Sequence, residues 1–161
     1  MENERFYLEK LCERFPTINA ETAVVKPQKL YVDIPFESLT DVLRFLYDEH
    51  QFTHLSTITG IDNGEQYEFL YHVAHENGYL LTLKVKTVRD GAVIPSVLPI
   101  YEGAVFYERE LNGLLGVTVE GLPEGRQYPL PDNWPAGEYP LRKDWKPKAQ
   151  REAAEGGQAN G

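Results

Sequence analysis

The sequence predicts an α+β protein: a mixed, mainly antiparallel sheet of four to five strands packed against helices, with an extended C-terminal tail. Three observations carry this. Apolar residues recur at helical spacing in separate short blocks, at Tyr7–Phe15, Leu39–Leu46 and Tyr107–Leu115. Between the second and third blocks lie runs rich in Thr, Ile, Val and Tyr, punctuated by Asp62-Asn63-Gly64 and Asn77-Gly78. After Gly116, Pro123, Pro129, Pro131, Pro135, Pro140 and Pro147 exclude a long helix or central strand.

In order, Asn3 can cap a first helix in which Tyr7, Leu11, Arg14 and Phe15 recur, and Pro16 ends it. Thr22 to Val25 and Leu30 to Ile34 read as short strands around Lys26-Pro27-Gln28. Pro35 opens a second helix, whose Leu39, Val42, Leu43 and Leu46 form a stripe opposite Asp41, Arg44 and Asp48. Phe52 to Ile61, Tyr67 to Ala74 and Tyr79 to Val88 follow as strands, the last two joined at Asn77-Gly78, which supplies the positive φ of a tight hairpin. Pro95 to Tyr101 predicts a helical turn leading into the third helix, and Val117 to Glu120 one more short strand. The expected organisation is a core over 1–121, a proline-rich tail over 122–149 and a disordered end over 150–161.

Bulk properties remove several function classes. With 161 residues, 42% apolar, the chain can bury one core but not two comfortable ones. A net charge of -9 opposes a binder of phosphate backbones. No apolar run approaches the roughly 20 residues that cross a bilayer, and the acidic start lacks a signal-peptide pattern, so a cytoplasmic chain is expected. The single cysteine, Cys12, forbids an internal disulfide or a cluster held by this chain's own thiolates.

His72 and His75 stand three apart in a strand pattern, which sends them to opposite faces, and they read as ordinary polar residues. Tyr67, Phe69 and Tyr71 alternate as RNA-stacking aromatics do, but the basic partner motif is missing and packing is the expected role. No phosphate-binding loop, dinucleotide fingerprint or serine-nucleophile motif occurs. Glu108-Arg109-Glu110 is the strongest charge cluster, open to reading as an acid/base site, an ion-pair knot or a docking surface. Residues two apart on a helix diverge by about 200°, so the two carboxylates cannot easily share a cleft. Tyr107, Leu111 and Leu114 share the face expected to be buried.

The run from Ala104 to Val117, with Phe106-Tyr107-Glu108-Arg109-Glu110 and Asn112-Gly113-Leu114-Leu115-Gly116, resembles the signature of the C-type (30 kDa) subunit of respiratory complex I. Glu120-Gly121-Leu122-Pro123, Arg126, Pro131, Trp134 and the closing Pro140-Leu141-Arg142-Lys143-Asp144-Trp145 extend the likeness. Leu55 to Asp62 and Pro95-Ser96-Val97 extend it upstream. Departures occur at Phe106 (usually Trp), Asn112 (usually Asp), Leu122 (usually His) and Gln127 (commonly Arg), and they suit a divergent relative.

The resemblance implies a non-catalytic peripheral-arm subunit of a membrane-bound complex I-like oxidoreductase, with no cofactor on this chain. Iron–sulfur clusters, and in a hydrogenase nickel–iron, would sit in partner subunits. Its partners would be the large D-type, hydrogenase-like subunit and the iron–sulfur B-type subunit, on the cytoplasmic side of the cell membrane. The membrane would be met only through the complex, and no nucleic acid is implied. The alternative is the matching subunit of an energy-converting [NiFe] hydrogenase or formate hydrogenlyase rather than of an NADH or deazaflavin:quinone oxidoreductase. The rivals are a stand-alone hydrolase using Glu108 or Glu110 and a nucleic-acid module. Glu108, Arg109 and Glu110 are expected in buried ion pairs fixing the third helix to a partner or the tail. Arg126, Arg142 and Lys143 are expected to meet acids of the large subunit. Trp134, Leu141, Asp144 and Trp145 complete the expected interface.

Overall fold

The computed structural model describes residues 3–147. Three α-helices, α1 (Glu4–Arg14), α2 (Leu39–His50) and α3 (Ala104–Leu115), combine with seven strands. The strands are β1 (Val24–Lys26), β2 (Lys29–Asp33), β3 (His54–Asp62), β4 (Gln66–Ala74), β5 (Leu80–Val88), β6 (Val93–Pro95) and β7 (Thr118–Glu120). The main sheet has the order β1-β2-β5-β4-β3, with β2–β5 parallel and the other pairs antiparallel. This is the mixed, mainly antiparallel sheet the sequence predicts, at its upper strand count. The expected disordered end at 150–161 lies outside the described residues.

Local chemistry sets the boundaries. The Asn3 side chain accepts the Phe6 amide at 3.0 Å and starts α1, which stops before Pro16. Pro35 is followed by a 3-10 turn, Phe36–Ser38, before α2 begins, so the helix starts four residues later than Pro35 suggests. The residues after α2 turn through Gln51 at φ 56, whose amide donates to the Leu46 carbonyl. Gly64 and Gly78 take φ of +100° and +86° in the two hairpin turns.

The sheet is buried on one face. Tyr67, Phe69, Tyr71 and Val73 of β4 alternate inward beside Leu81, Leu83 and Val85 of β5 and Leu30 and Val32 of β2. Leu39, Val42, Leu43 and Leu46 of α2 and Tyr7 and Leu11 of α1 fill the same core. At the β3 end α3 closes it. There Gly60 has no side chain because Leu111 and Leu115 already occupy the space: a Cβ would lie 2.5 Å from both. The opposite sheet face carries the half-exposed Tyr31, Asp33, Glu68, Leu70, His72 and Lys84.

A second, two-stranded parallel sheet pairs β6 with β7 across α3, with Ile94 opposite Val119. The sequence reading anticipates β7 but not β6. Three residues ending in a proline give no alternation to detect. The expected helical turn survives just after β6, where the Ile100 and Tyr101 amides both donate to the Val97 carbonyl.

Gly60→Val forces two leucines of α3 off the sheet, an overpacking change that should cost about 1–3 kcal/mol. Chemical denaturation of purified chain measures it, and an unchanged midpoint would disprove the close approach.

Candidate docking surface

Helix α3 buries Ala104, Glu108, Leu111 and Leu115, one residue round from the expected Tyr107–Leu111–Leu114 stripe. The correction matters for Glu108, which lies in the middle of an apolar face with 1% of its surface exposed. Its Oε1 accepts the Val97 amide at 2.6 Å and its Oε2 the Ser96 hydroxyl at 2.7 Å. Burial raises the carboxyl above its ordinary range, and the Val97 and Ser96 bonds only partly oppose this. Among the described residues no ion pair involves Glu108, Arg109 or Glu110, so within this chain the expected charge knot is absent. Neutral donors satisfy Glu108 instead, and they pin the 95–98 segment to α3. Glu110 faces away and lines a cavity of about 160 Å³ with Leu114 and Leu141.

The outward side of α3 receives the tail. Gly113 lies under the Tyr128 carbonyl, where a Cβ would approach to 3.0 Å. Gly116, at φ +74°, lies under the Tyr139 ring, where a Cβ would meet ring carbons at 2.5 Å. The Arg109 guanidinium packs over Gly125, and its Nη2 donates to the Glu124 carbonyl at 3.4 Å. The Asn112 amide donates to the Val117 carbonyl at 2.9 Å and covers a carbonyl beyond the helix end. The signature glycines are thus the floor of a track for the tail. An extended aromatic segment does find a surface, and for much of its length the surface is this chain's own.

The closing run ends on a charged clasp. The Lys143 amide donates to Asp62 Oδ2 at 2.8 Å, and the Lys143 ammonium to the Asn63 carbonyl at 3.0 Å. Arg89 forks onto both Asp62 oxygens at 3.0 and 3.1 Å through Nε, and its Nη2 reaches Asp144 at 2.7 Å. Arg142 bonds Asp90 at 2.9 Å and Asp144 at 3.3 Å. Leu141 donates its amide to the Leu114 carbonyl, Trp134 and Trp145 stack at 5.9 Å, and the Trp145 indole donates to Glu138. Arg126 meets Asp132 in an exposed pair at 2.7 Å. The acids expected for Arg126 and Arg142 on a large subunit are therefore met first within this chain. Sequence reasoning misses Arg89, Asp62 and Asp90, because pairing between residues so far apart in the chain has no local signal.

Burial would push the Asp62 carboxyl upward. The Arg89 fork and the Lys143 and Gly64 amides outweigh it and hold the group at about 2. Elsewhere on α3 and the tail, apolar side chains stay out in solvent. Phe106 and Tyr128 stack edge to face at 6.0 Å and are 57% and 47% exposed, and Leu141 is 54% exposed. The Phe106–Tyr128 strip, on a helix that also organises the core, suits a docking face, and Leu141 is exposed separately beside Leu114. No helix of the described residues is long and apolar enough to cross a membrane, and no three metal-ligating side chains converge among them.

The two buried carboxylates respond to pH in opposite directions. Asp62, held low, adds stability above its unfolded value of about 3.9 that is lost as pH falls toward 2. Asp62→Asn should therefore flatten the decline of stability between pH 4 and pH 2 in denaturant titrations; an identical decline would refute the clasp. Glu108, held high, gains from losing its charge. Glu108→Gln keeps an acceptor for Val97 and should match or exceed the parent at neutral pH. Glu108→Ala leaves a buried amide unpaired and should cost about 1–3 kcal/mol.

Comparison with known proteins accounts for this architecture. The family described as respiratory-chain NADH dehydrogenase, 30 Kd subunit, matches residues 32–151. The chain is 32% identical to a subunit of the F(420)H(2) dehydrogenase of Methanosarcina mazei, over 88% of this chain and 91% of that one. It is 36% identical to formate hydrogenlyase subunit 5 of Escherichia coli, over 91% of this chain but only 26% of that longer protein. A chain in the structure of the membrane-bound sulfane sulfur reductase, an archaeal respiratory membrane complex, superposes with a TM-score of 0.77 at 25% identity, covering 91% of this chain and 88% of that one. The fold, the matched residues and these relatives agree: this chain belongs to the 30 kDa subunit family of the respiratory-chain NADH dehydrogenase.

Proposed function

We propose that the chain is a non-catalytic peripheral-arm subunit of a membrane-bound, complex I-like oxidoreductase. It docks on the large, hydrogenase-like D-type subunit beside the iron–sulfur B-type subunit, on the cytoplasmic side. It supports electron transfer to quinone or protons by holding those subunits, while the iron–sulfur clusters reside in the partners. The observation that carries this is the exposed Phe106–Tyr128 strip on α3 and the tail strapped across it. An apolar strip built onto a rigid, charge-clasped surface suits a permanent partner. Membership of the family, and the relatives' presence in assemblies of several subunits, support the same reading. Formate hydrogenlyase subunit 5 adds a further argument, since most of that polypeptide lies outside the match. The counterpart of this chain is there joined covalently to a larger protein, as expected for two parts that otherwise dock.

The 36% identity to that protein favours a second version of the reading, in which the complex is an energy-converting [NiFe] hydrogenase or formate hydrogenlyase. Nickel-site cysteines in the co-purifying large subunit would select it; their absence would select a quinone reductase.

Replacing Phe106 and Tyr128 together by Ser removes the centre of the strip without touching the core. The isolated variant should keep the parent's unfolding midpoint, while its recovery in the membrane complex falls about tenfold or more, the effect of losing central interface anchors. Arg109→Ala, which frees the 121–128 loop, should lower assembly in the same assay and leave turnover per assembled complex unchanged. Normal assembly of both variants would remove the strip from the interface.

A further inference from the structure

The open face of the main sheet is a second surface with its own chemistry. Strand register places Val24 and Lys26 of β1, Lys29, Tyr31 and Asp33 of β2, and Thr82, Lys84, Lys86 and Val88 of β5 on one side. Glu68, Leu70 and His72 of β4 and Ile61 of β3 share that side. The helices and their core lie on the other. Val24, Ile61 and Val88 are 49%, 41% and 63% exposed, apolar side chains spread from edge to edge.

The charge on this face inverts that of the chain, which has 16 Lys and Arg against 25 Asp and Glu. Lys26, Lys29, Lys84 and Lys86 stand here against Asp33 and Glu68. Both acids are already taken, Asp33 by Lys84 at 2.9 Å and Glu68 by Lys86 at 3.9 Å. Lys26 and Lys29, opposite one another at the β1–β2 edge, have no ion pair among the described residues. Beside them a cup of about 370 Å³ is lined by Thr22, Val24, Tyr31, Leu70 and Thr82, with Lys26 and the Lys84–Asp33 pair also on its wall. The Thr82 hydroxyl is taken by His72 Nδ1 at 2.9 Å and Asp33 by Lys84, so two polar groups of the wall are already partnered. The cup fits an apolar side chain whose flanking residues are carboxylates.

We propose that this face binds an acidic protein segment with a central apolar anchor, belonging to another subunit of the same complex. The chain then bridges two neighbours, one on the α3–strap face and one on the sheet face. Val24 and Ile61 on the two edge strands, Val88 between them and four lysines across the face call for a broad, charge-complementary partner rather than a small ligand. The proposal rests on the reading of this chain as a subunit of such a complex.

The test compares amine acylation of Lys26, Lys29, Lys84 and Lys86 in the purified chain and in the complex isolated from native membranes. Carbodiimide coupling of the complex then identifies the partner carboxylates. Several-fold protection in the complex, with zero-length links from Lys26 or Lys29 to acids of another subunit, is the expected result. Lys26→Glu combined with Lys29→Glu should leave the chain's unfolding midpoint unchanged and cut recovery of that neighbour about tenfold. Three outcomes overturn the proposal: equal reactivity in chain and complex, links only between copies of this chain, or protection reproduced by phosphatidylglycerol vesicles alone. If the chain enters no complex, the proposed function fails with it. If it enters one with all four lysines reactive, only this inference fails.

Discussion

Asp62 is the constraint on which the tail depends. It ends β3, it is nearly inaccessible, and it must stay ionised to accept the Arg89 fork and the Lys143 and Gly64 amides. A buried charge is tolerable only with such a complete set of partners. Through Arg89 and Asp144 the same site reaches Arg142, and through Arg142 it reaches Asp90 at the turn after β5. One carboxylate thus ties the β3–β4 turn, the β5–β6 turn and the closing run into one corner. That corner fixes Leu141 beside Leu114 and so anchors the end of the tail that crosses α3.

Helix α3 explains why charges and glycines are interleaved within one short run. Its inner face seals the β3 edge of the core, with Leu111 and Leu115 seated over Gly60. Its buried acid, Glu108, holds the loop that feeds the helix. Gly113 and the capping Gly116 leave room for the tail backbone at Tyr128 and for the Tyr139 ring. Charge, size and backbone freedom each have a separate task here, and none of these tasks is chemistry on a substrate. Glu108 and Glu110 face opposite ways, and Glu108 is sealed from solvent.

The sheet and the three helices were legible in the sequence because period-two and period-3.6 patterns are local. Tyr67-x-Phe69-x-Tyr71 and the Leu39–Leu46 stripe needed no tertiary information. The Asn77-Gly78 turn marked the β4–β5 hairpin by itself. What stayed illegible was long-range or polar. The stripe of α3 lies one residue away from its expected place because a rule that buries only apolar side chains passes over Glu108 in favour of Tyr107 and Leu114. Arg142 of the closing run does need an acid, but nothing local says that Asp90 supplies one, or that Asp62 takes Arg89 and the Lys143 backbone amide. The family likeness identified the important segments, and the structure showed that two of them, the signature and the strap, form one surface.

An exposed aromatic pair on a helix crossed by a clasped tail gives a subunit a pre-formed face, so little ordering is needed on assembly. The central claim is that this chain works as a docked member of a redox complex. The most direct measurement is affinity purification of the chain from native membranes, with subunit stoichiometry and iron content determined on the product. The account predicts one copy of this chain per large subunit and per iron–sulfur subunit, with oxidoreductase activity only in the assembled product. A chain recovered alone, or one that turns over substrate in the absence of partners, would contradict it.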